Sequence, residues 1–155
     1  MPFSAGLNSM LITSEEAKYT DLAEIASLNI QLQIDEGSRP LSQEQAEQRL
    51  TKWLNQDYRC YLFLNNNVRV GYVLFRPTDN DSEGHPEGFY IRQFMITSEH
   101  RGQGLGTAAF EHFASYIAGN APIILEVLIS NPIARKFWTS VGFNEYSIKC
   151  ERLPG

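Results

Sequence analysis

The sequence has few cysteines, no long apolar run and no excess of basic residues, and each shortage excludes a class of protein. Cys60 and Cys150 are the only cysteines among 155 residues, and no CxxC or Cys/His cluster indicates a metal site. The apolar runs are far shorter than the ~20 residues that a membrane-spanning helix needs. The chain has 13 lysine and arginine residues against 18 acidic ones, a formal net charge of -5, which argues against a nucleic-acid partner.

A secretory signal is also missing from the first residues. The stretch "MPFSAGLNSMLI" has neither a basic n-region nor a long apolar h-region. Together with two cysteines that are best interpreted as reduced thiols, this favours a cytoplasmic protein with no membrane association. Because the chain shows no linker, repeat or low-complexity run, we expect residues 1–155 to form a single domain.

The spacing of apolar residues predicts an α/β fold with the order β-α-α-β-β-β-α-β-α-β. A first strand is expected over 8–13, and a first helix, capped by Thr20 or Asp21, is expected to run to about Glu36. A second helix is expected after the capping-box pattern at 42–45. The runs "YRCYLFL" and "VRVGYVLF" are predicted to form a hairpin, because the three asparagines 65–67 between them favour a turn.

The second half of the chain continues this alternation. "FYIRQFMI" (89–96) is a predicted strand of the same sheet, and 104–117 has helical spacing. "PIILEVLI" (122–129) is nearly apolar throughout and is therefore predicted to be a strand buried on both faces. Pro132 is well placed at the first position of another helix, and a last strand is expected over about 144–151.

The stretch "HRGQGLGTAAF" (100–110) places three glycines between a predicted strand and a predicted helix. The first N–H groups of a helix have no partner within it, and the helix dipole is positive at that end. Glycines there let a large anion approach the backbone and tolerate positive φ. The turn therefore predicts a cradle for a phosphate or pyrophosphate group, to which Arg101 adds positive charge.

Two widespread phosphate-binding motifs do not fit this turn. A P-loop requires Lys followed by Ser or Thr after its glycines, and this turn has neither pair. The dinucleotide fingerprint GxGxxG is broken by Thr107, and Glu126 lies within a predicted strand rather than at its end. On this motif alone, a glycine-rich turn that binds no ligand is the other interpretation.

A second segment, together with the glycine turn, resembles the GNAT superfamily of acyl-CoA N-acyltransferases. Residues 101–106, "RGQGLG", fit the R/Q-x-x-G-x-G/A signature of that superfamily. Downstream, "LEVLISNPIARKFWTSVGF" (125–143) resembles its second segment, a strand with Glu followed by Asn and a helix that ends in Gly-Phe. The spacing N-x-x-A-x-x-x-aromatic-x-x-x-G-F is met by Asn131, Ala134, Trp138, Gly142 and Phe143.

The resemblance implies a mixed, mostly antiparallel sheet that is splayed at its central strands and flanked by helices on both faces. It also implies acetyl-CoA as cosubstrate, no metal, and a pantetheine arm that enters the gap in the sheet. The residues implied to bind acetyl-CoA by matching position are Phe94, Met95, Ile96, Arg101, Gly102, Gln103, Gly104, Leu105, Gly106, Thr107 and Asn131. The simpler interpretation of Asn131 is a helix N-cap, and the two roles are compatible.

At the position of the usual general base, this sequence differs from the pattern of the superfamily. Where many members carry an acid on the strand before the glycine turn, this chain has Arg92 and Gln93. Glu126 matches a glutamate that some members, such as ribosomal-protein N-terminal acetylases, are thought to use, and burial on an apolar strand would raise its pKa. The alternative is a structural pair of Glu126 with an arginine such as Arg92. Further candidates at the entrance of the site are Glu83, His85 and Glu87.

At the position of the usual general acid, the sequence differs from the pattern as well. Trp138 occupies the position that is usually a tyrosine, whose hydroxyl protonates the departing thiolate. An indole N–H donates a hydrogen bond but is not an acid. Trp138 is therefore expected either to polarise the sulfur or carbonyl, or merely to pack, with Tyr90 and Tyr146 as other possible donors.

The resemblance thus implies an N-acetyltransferase that moves an acetyl group from acetyl-CoA to a primary amine by direct transfer in a ternary complex. Glu126 and Trp138 are its expected catalytic residues. The acceptor is expected to be a small-molecule amine or a protein or peptide amine, and a homodimer is a further expectation. The alternative is a non-catalytic acyl-CoA-binding or regulatory module on the same fold, because the usual tyrosine and strand carboxylate are absent.

Overall fold

One mixed sheet organises the chain, and helices cover both of its faces. The computed structural model describes residues 10–79 and 87–155. In these ranges the elements are β1 (Ile12–Glu16), α1 (Leu22–Asp35), α2 (Gln43–Leu54), β2 (Arg59–Asn65), β3 (Val68–Thr78), β4 (Gly88–Ile96), α3 (Leu105–His112), β5 (Ile123–Leu125) and α4 (Pro132–Ser140). None of the helices in the described ranges is both long and apolar enough to cross a membrane.

The strands lie in the order β1-β2-β3-β4-β5. The first four pair antiparallel with their neighbours, and β5 pairs parallel with β4. The predicted hairpin between β2 and β3 is confirmed. Its two turn residues, Asn66 and Asn67, have φ angles of 52° and 68°. Asparagine tolerates this left-handed region better than most residues, which is why it favours two-residue hairpin turns.

The two faces of the sheet bury separate cores, as the predicted arrangement of helices on both faces requires. Against α1 and α2 the buried residues are Ile25, Leu50, Tyr58, Cys60, Leu62, Tyr72, Leu74 and Met95. Against α3 they are Phe63, Val70, Val73, Phe75, Ile91, Ile96, Leu105, Ala109, Phe110, Phe113 and Ala118, and α4 adds partly buried aromatic side chains to this face. The site described below lies where two strands of the sheet, β4 and β5, separate.

The predicted helix starts are found in the structure. The Ser42 hydroxyl accepts from the Gln45 N–H at 3.1 Å, and the Gln45 side chain accepts from the Ser42 N–H at 3.0 Å, which completes the capping box of α2. Asn131 caps α4 by accepting from the Ala134 N–H at 3.1 Å, and Pro132 follows at the first helical position. These contacts satisfy N–H groups that have no partner within the helix.

A β-bulge in β4 coincides with the point where β4 and β5 separate. Gln93 faces Leu74 and Ile91 faces Phe75, so Arg92 between them has no register partner in β3. Pairing of β4 with β5 ends at the same level, with Ile91 opposite Leu125. Bulges bend a strand and increase its twist. Because β4 continues to Ile96 while β5 ends at Leu125, the sheet opens here, which confirms the predicted splay.

Two strand predictions are wrong, for connected reasons. The predicted strand at 122–129 is paired only over Ile123–Leu125, and the side chains of Leu128 and Ile129 are 66% and 69% exposed rather than buried. The predicted strand at 144–151 is not formed, and its residues are exposed. A three-residue edge strand offers too few backbone groups to hold another strand against it. The first strand also begins later than predicted, at Ile12.

Candidate active site

A cavity of about 820 Å³ opens where β4 and β5 separate. Its walls come from the end of α1, from Arg49 on α2, from β4 beyond the bulge, from the glycine turn, from the chain after β5 and from the first turns of α4. This volume is in the range of small-molecule sites, which are typically about 300–1,000 Å³. Most residues that the sequence singled out are on its walls, although they come from separate parts of the chain.

The glycine turn forms one end of this cavity. Gly102 and Gly104 have φ angles of 77° and 78°, a left-handed conformation that costs other residues about 1–2 kcal/mol. Gly104 is the N-cap of α3, and a glycine has no side chain to satisfy the first N–H groups of that helix. At Gly106 a Cβ atom would lie 3.2 Å from the Phe137 ring of α4. The turn therefore presents bare backbone N–H groups and the positive end of a helix dipole to the cavity.

Arg101 is held by the protein rather than left free above the turn. Its Nε donates to the Ile96 carbonyl at 2.8 Å, and its Nη2 donates to Asp35 Oδ2 at 2.7 Å. A hydrogen bond from Gln31 and then the contact with Arg101 lower the pKa of the Asp35 carboxyl. Arg101 thus connects the end of β4 to the end of α1 and still borders the cavity.

Most of the other residues implied to bind acetyl-CoA line the cavity, and two of them do not. The wall contains Phe94, Met95, Ile96, Gly102, Gly104, Gly106, Thr107 and Asn131. The side chain of Leu105 is instead buried in the α3 core at 2% exposure, and Gln103 is exposed outside the wall. The side chains of these two residues are not part of the cavity wall.

Trp138 lies at the edge of the cavity within a cluster of aromatic rings. Its ring centroid is 4.9 Å from Phe137, 5.3 Å from Phe94, 5.3 Å from Phe143 and 5.6 Å from Phe110. All four of these contacts are edge-to-face, a geometry that aromatic pairs favour. The cluster fixes the orientation of the indole at the cavity wall, so Trp138 contributes to the packing of this region.

Glu126 is directly after β5, at the mouth of the opening. Its Oε1 accepts a hydrogen bond from the Tyr90 hydroxyl at 3.2 Å. The predicted burial of Glu126 on an apolar strand is wrong, because β5 ends at Leu125 and the Glu126 side chain is exposed. Its suggested pairing with Arg92 is also not found, since neither residue forms an ion pair within the described part of the chain.

A second carboxylate is found beside the cavity. Glu36 follows α1 and borders the same cavity. Loss of hydration against the wall raises the pKa of its carboxyl, and the neighbouring Asp35 carboxylate adds to this effect. A raised pKa is a property that general bases require.

Two other candidates from the sequence, Glu83 and His85, are outside the described residues. Among the residues that the structure describes, no cluster of His, Cys, Asp and Glu could hold a metal ion.

A polar network below the cavity was not predicted at all. Arg49 Nη2 donates to Asn29 Oδ1 at 2.7 Å, Asn29 Nδ2 donates to the Tyr72 hydroxyl at 3.4 Å, and Tyr72 donates to Gln93 Oε1 at 3.0 Å. Asn29 and Tyr72 are buried, at 5% and 0% exposure. One signal was available: Asn29 interrupts the apolar stripe of α1 at a position that faces the sheet.

Comparison with known proteins agrees with this geometry. The model of the acetyltransferase (GNAT) family matches residues 24–143, which include both sequence segments and every cavity element described above. No curated protein matches the chain.

Solved structures with the same fold extend over nearly the whole chain. A candidate acetyltransferase from Clostridium difficile 630 has a TM-score of 0.76 at 17% identity, with 94% of this chain and 98% of that chain covered. A candidate acetyl transferase from Pyrococcus furiosus has a TM-score of 0.71 at 25% identity, with 93% and 100% covered. A candidate acetyltransferase from Clostridium acetobutylicum, solved with acetyl-CoA, has a TM-score of 0.70 at 16% identity, with 92% and 96% covered.

Proposed function

Because the chain belongs to the acetyltransferase (GNAT) family, we propose that it is an N-acetyltransferase that transfers an acetyl group directly from acetyl-CoA to a primary amine. The observation that carries the proposal is the opening between β4 and β5 beside the left-handed glycine turn. One cavity thus provides an anion cradle, a stretch of β4 without a partner in β5, and carboxylates.

The residues present fit acetyl-CoA. The backbone N–H groups of 102–107, at the positive end of α3, would hold the pyrophosphate, because the glycines leave room for close approach. Beyond the bulge, Phe94, Met95 and Ile96 would offer backbone groups to the pantetheine arm. The Oδ1 of Asn131 is used to cap α4, so its Nδ2 would be the donor to the cofactor arm. Bound acetyl-CoA supplies a thioester carbonyl that an amine can attack.

The acceptor must lose a proton before its nitrogen can attack, and we assign that proton to Glu126. The Tyr90 hydroxyl holds the Glu126 carboxylate at the mouth of the opening, where an ammonium can reach it. The new C–N bond forms as the C–S bond breaks, and the proton passes to the carboxylate directly or through one water molecule. Glu36 is the other candidate, supported by the raised pKa of its carboxyl.

Trp138 is assigned the role of hydrogen-bond donor near the thioester. The aromatic cluster presents its ring to the cavity, and an indole N–H stabilises developing negative charge without supplying a proton. The thiolate is a good leaving group and is protonated by water in this scheme. A non-catalytic acyl-CoA-binding module is the second candidate, because a tryptophan stands where an acid would be expected.

Calorimetric titration with acetyl-CoA, CoA, ADP and NAD, followed by an assay for CoA release with a panel of amines, tests the proposal. Binding of acetyl-CoA and CoA in preference to ADP and NAD, with amine-dependent CoA release, is the expected result. Binding without release for any amine would favour the non-catalytic module. No binding of acetyl-CoA would overturn both candidates, and the glycine turn would then be structural.

A further inference from the structure

We propose that the acceptor is a small amine that also carries an anionic group, a carboxylate or a phosphate, and that Arg49 and Arg92 bind this group. The inference rests on the proposed function, because it names the class of acceptor that would enter the same cavity. Both arginines border that cavity together with Glu126, Glu36 and the glycine turn.

The two arginines converge on one aromatic ring. The guanidinium carbon of Arg92 lies 4.4 Å from the centroid of Trp53, and that of Arg49 lies 4.6 Å from the same centroid. A guanidinium stacked on an aromatic ring is held in place while the N–H groups at its edge stay available. The charge of Arg92 acts against the charge of Arg49, and an anion bound nearby would offset that repulsion.

Neither arginine has a counter-ion within the described residues. Arg59, Arg69, Arg101 and Arg135 each form an ion pair with a carboxylate. No such pair is found for Arg49 or Arg92 in the ranges 10–79 and 87–155, although Glu36 borders the same cavity. The uncompensated positive charge is therefore concentrated at the end of the cavity nearest α2.

One nitrogen of Arg49 is a donor without a partner. Among the described residues, its buried Nε has no hydrogen-bond partner, whereas its Nη2 donates to Asn29. A buried donor without a partner is costly, and a ligand that supplies an acceptor would remove that cost. Loss of hydration and the charge of Arg92 lower the pKa of Arg49, which agrees with a cation that has no anion beside it.

The surrounding structure positions both side chains. Arg92 is the bulged residue of β4, and its Nη1 donates to the Tyr58 hydroxyl at 3.2 Å. Arg49 is fixed by Asn29, which is held in turn by the buried Tyr72. A carboxylate or phosphate has the planar or tetrahedral oxygens that a guanidinium fork binds with two hydrogen bonds. With its anion on this pair, an acceptor would direct its ammonium toward the carboxylates of the same cavity.

Matched amine pairs that differ only in the anionic group test the inference. Suitable pairs are glycine with glycinamide, β-alanine with β-alaninamide, and 2-aminoethyl phosphate with ethanolamine, assayed by CoA release. We expect the anionic member of at least one pair to have a kcat/KM about tenfold or more above its neutral partner, mainly through KM. The pair with the largest ratio shows whether a carboxylate or a phosphate is preferred.

Variants then connect the preference to the arginines. In Arg92→Met and Arg49→Met we expect the ratio to fall to about one, with an unchanged Kd for acetyl-CoA. Arg49→Lys keeps the charge and should retain part of the ratio, which guards against loss of folding in Arg49→Met. Arg59→Met is the matched control, because Arg59 also stacks on an aromatic ring, 5.3 Å from Tyr61, but pairs with Glu16 away from the cavity.

The outcomes separate this inference from the proposed function. CoA release with equal kcat/KM for both members of every pair would overturn the inference and leave the acetyltransferase proposal in place. If acetyl-CoA binds but no amine is acetylated, or if acetyl-CoA does not bind, the same pairs are titrated into the protein by calorimetry. Anion-selective binding that Arg92→Met abolishes would then support the arginine site, and its absence would overturn it.

Discussion

The Tyr90 hydroxyl on β4 donates to Glu126 Oε1 at 3.2 Å, across the point where β4 and β5 separate. Tyr90 and Ile124 are paired in the sheet, whereas Glu126 is past the end of β5. Strand pairing does not extend to Glu126, so the hydrogen bond from Tyr90 is what holds its carboxylate at the mouth of the cavity. Burial and the nearby Glu126 charge raise the pKa of Tyr90, so its hydroxyl stays protonated and remains a donor.

Glu126→Gln should lower kcat by about 100-fold or more while leaving the Kd for acetyl-CoA unchanged, because a general base contributes about 10²–10⁴ in rate. The measurement is kcat together with calorimetric Kd. Tyr90→Phe keeps the carboxylate but removes its hydrogen bond, and should cause a smaller loss than Glu126→Gln.

Glu36→Gln is the matched control for that assignment. If Glu36 were the base, its raised pKa would place the acid limb of the kcat profile above the ordinary range of a glutamate, and Glu36→Gln would remove activity. An unchanged kcat in Glu126→Gln with a large loss in Glu36→Gln would transfer the role from one residue to the other.

Gly104→Ala should weaken acetyl-CoA binding, and Gly104→Glu should abolish it. An added Cβ at Gly104 meets only the Met10 side chain, at 3.8 Å, so the substitution strains a residue at φ 78° without a clash. Gly119→Ala is the matched control, since Gly119 also has a positive φ, 59°, and open space around it. Each alanine should cost about 1–2 kcal/mol of stability, measured by denaturant unfolding.

Only the change at Gly104 should alter the Kd for acetyl-CoA, because Gly119 is not part of the cavity wall. The carboxylate of Gly104→Glu would oppose a pyrophosphate by charge as well as by volume. Normal acetyl-CoA binding by Gly104→Glu would show that the turn is not the cradle.

Local signals in the sequence predicted turns and helix caps better than they predicted the sheet. The glycine turn, the N-cap at Asn131 and the capping box at Ser42 depend on contacts within a few residues, which a sequence displays directly. The length of β5 depends on how far β4 runs beside it, and that pairing ends at Ile91, next to the bulge at Arg92. The apolar run at 122–129 contained no sign of this tertiary event.

The arginine pair was missed for a similar reason. Arg49 and Arg92 reach Trp53 from a helix and from a strand, and only the packing of α2 on the sheet brings them together. Trp53 has helical spacing with Leu50 and packs against the core on that face of the sheet. The polar residues beside it had no short-range pattern that would indicate a common site.

Asp35→Asn should make the stability of the folded protein less sensitive to a fall in pH. Hydrogen bonds from Gln31 and Arg101 lower the pKa of Asp35 below the ordinary value of an aspartate, so its contribution to stability is complete above that ordinary value. It is lost as the pH falls through the lower pKa of the folded state. Thermal unfolding between about pH 2.5 and 6 should show a smaller loss of Tm in the variant than in the wild type. Parallel curves for the two proteins would contradict this account.

Arg101→Met separates the structural role of Arg101 from a role in binding acetyl-CoA. Removing the guanidinium breaks the contacts with Asp35 and with the Ile96 carbonyl, so stability should fall in both Arg101→Met and Asp35→Asn. If Arg101 also attracts the pyrophosphate, Arg101→Met should raise the Kd for acetyl-CoA more steeply at low ionic strength. Equal Kd values for the two variants would assign Arg101 to support of the turn alone.

Trp138→Phe should lower kcat about tenfold, the loss expected when one hydrogen bond to developing charge is removed, since a tenfold change corresponds to about 1.4 kcal/mol. The phenyl ring preserves part of the packing with Phe94 and Phe110, so the protein should stay folded. Phe143→Leu is the control, because Phe143 packs 5.3 Å from Trp138 in the same cluster but is not part of the cavity wall. Both variants should unfold at lower denaturant concentration, and only Trp138→Phe should lose kcat at an unchanged Kd for acetyl-CoA. A kcat that falls equally in both variants would mean that the cluster acts only by packing, and the donor role of Trp138 would be wrong.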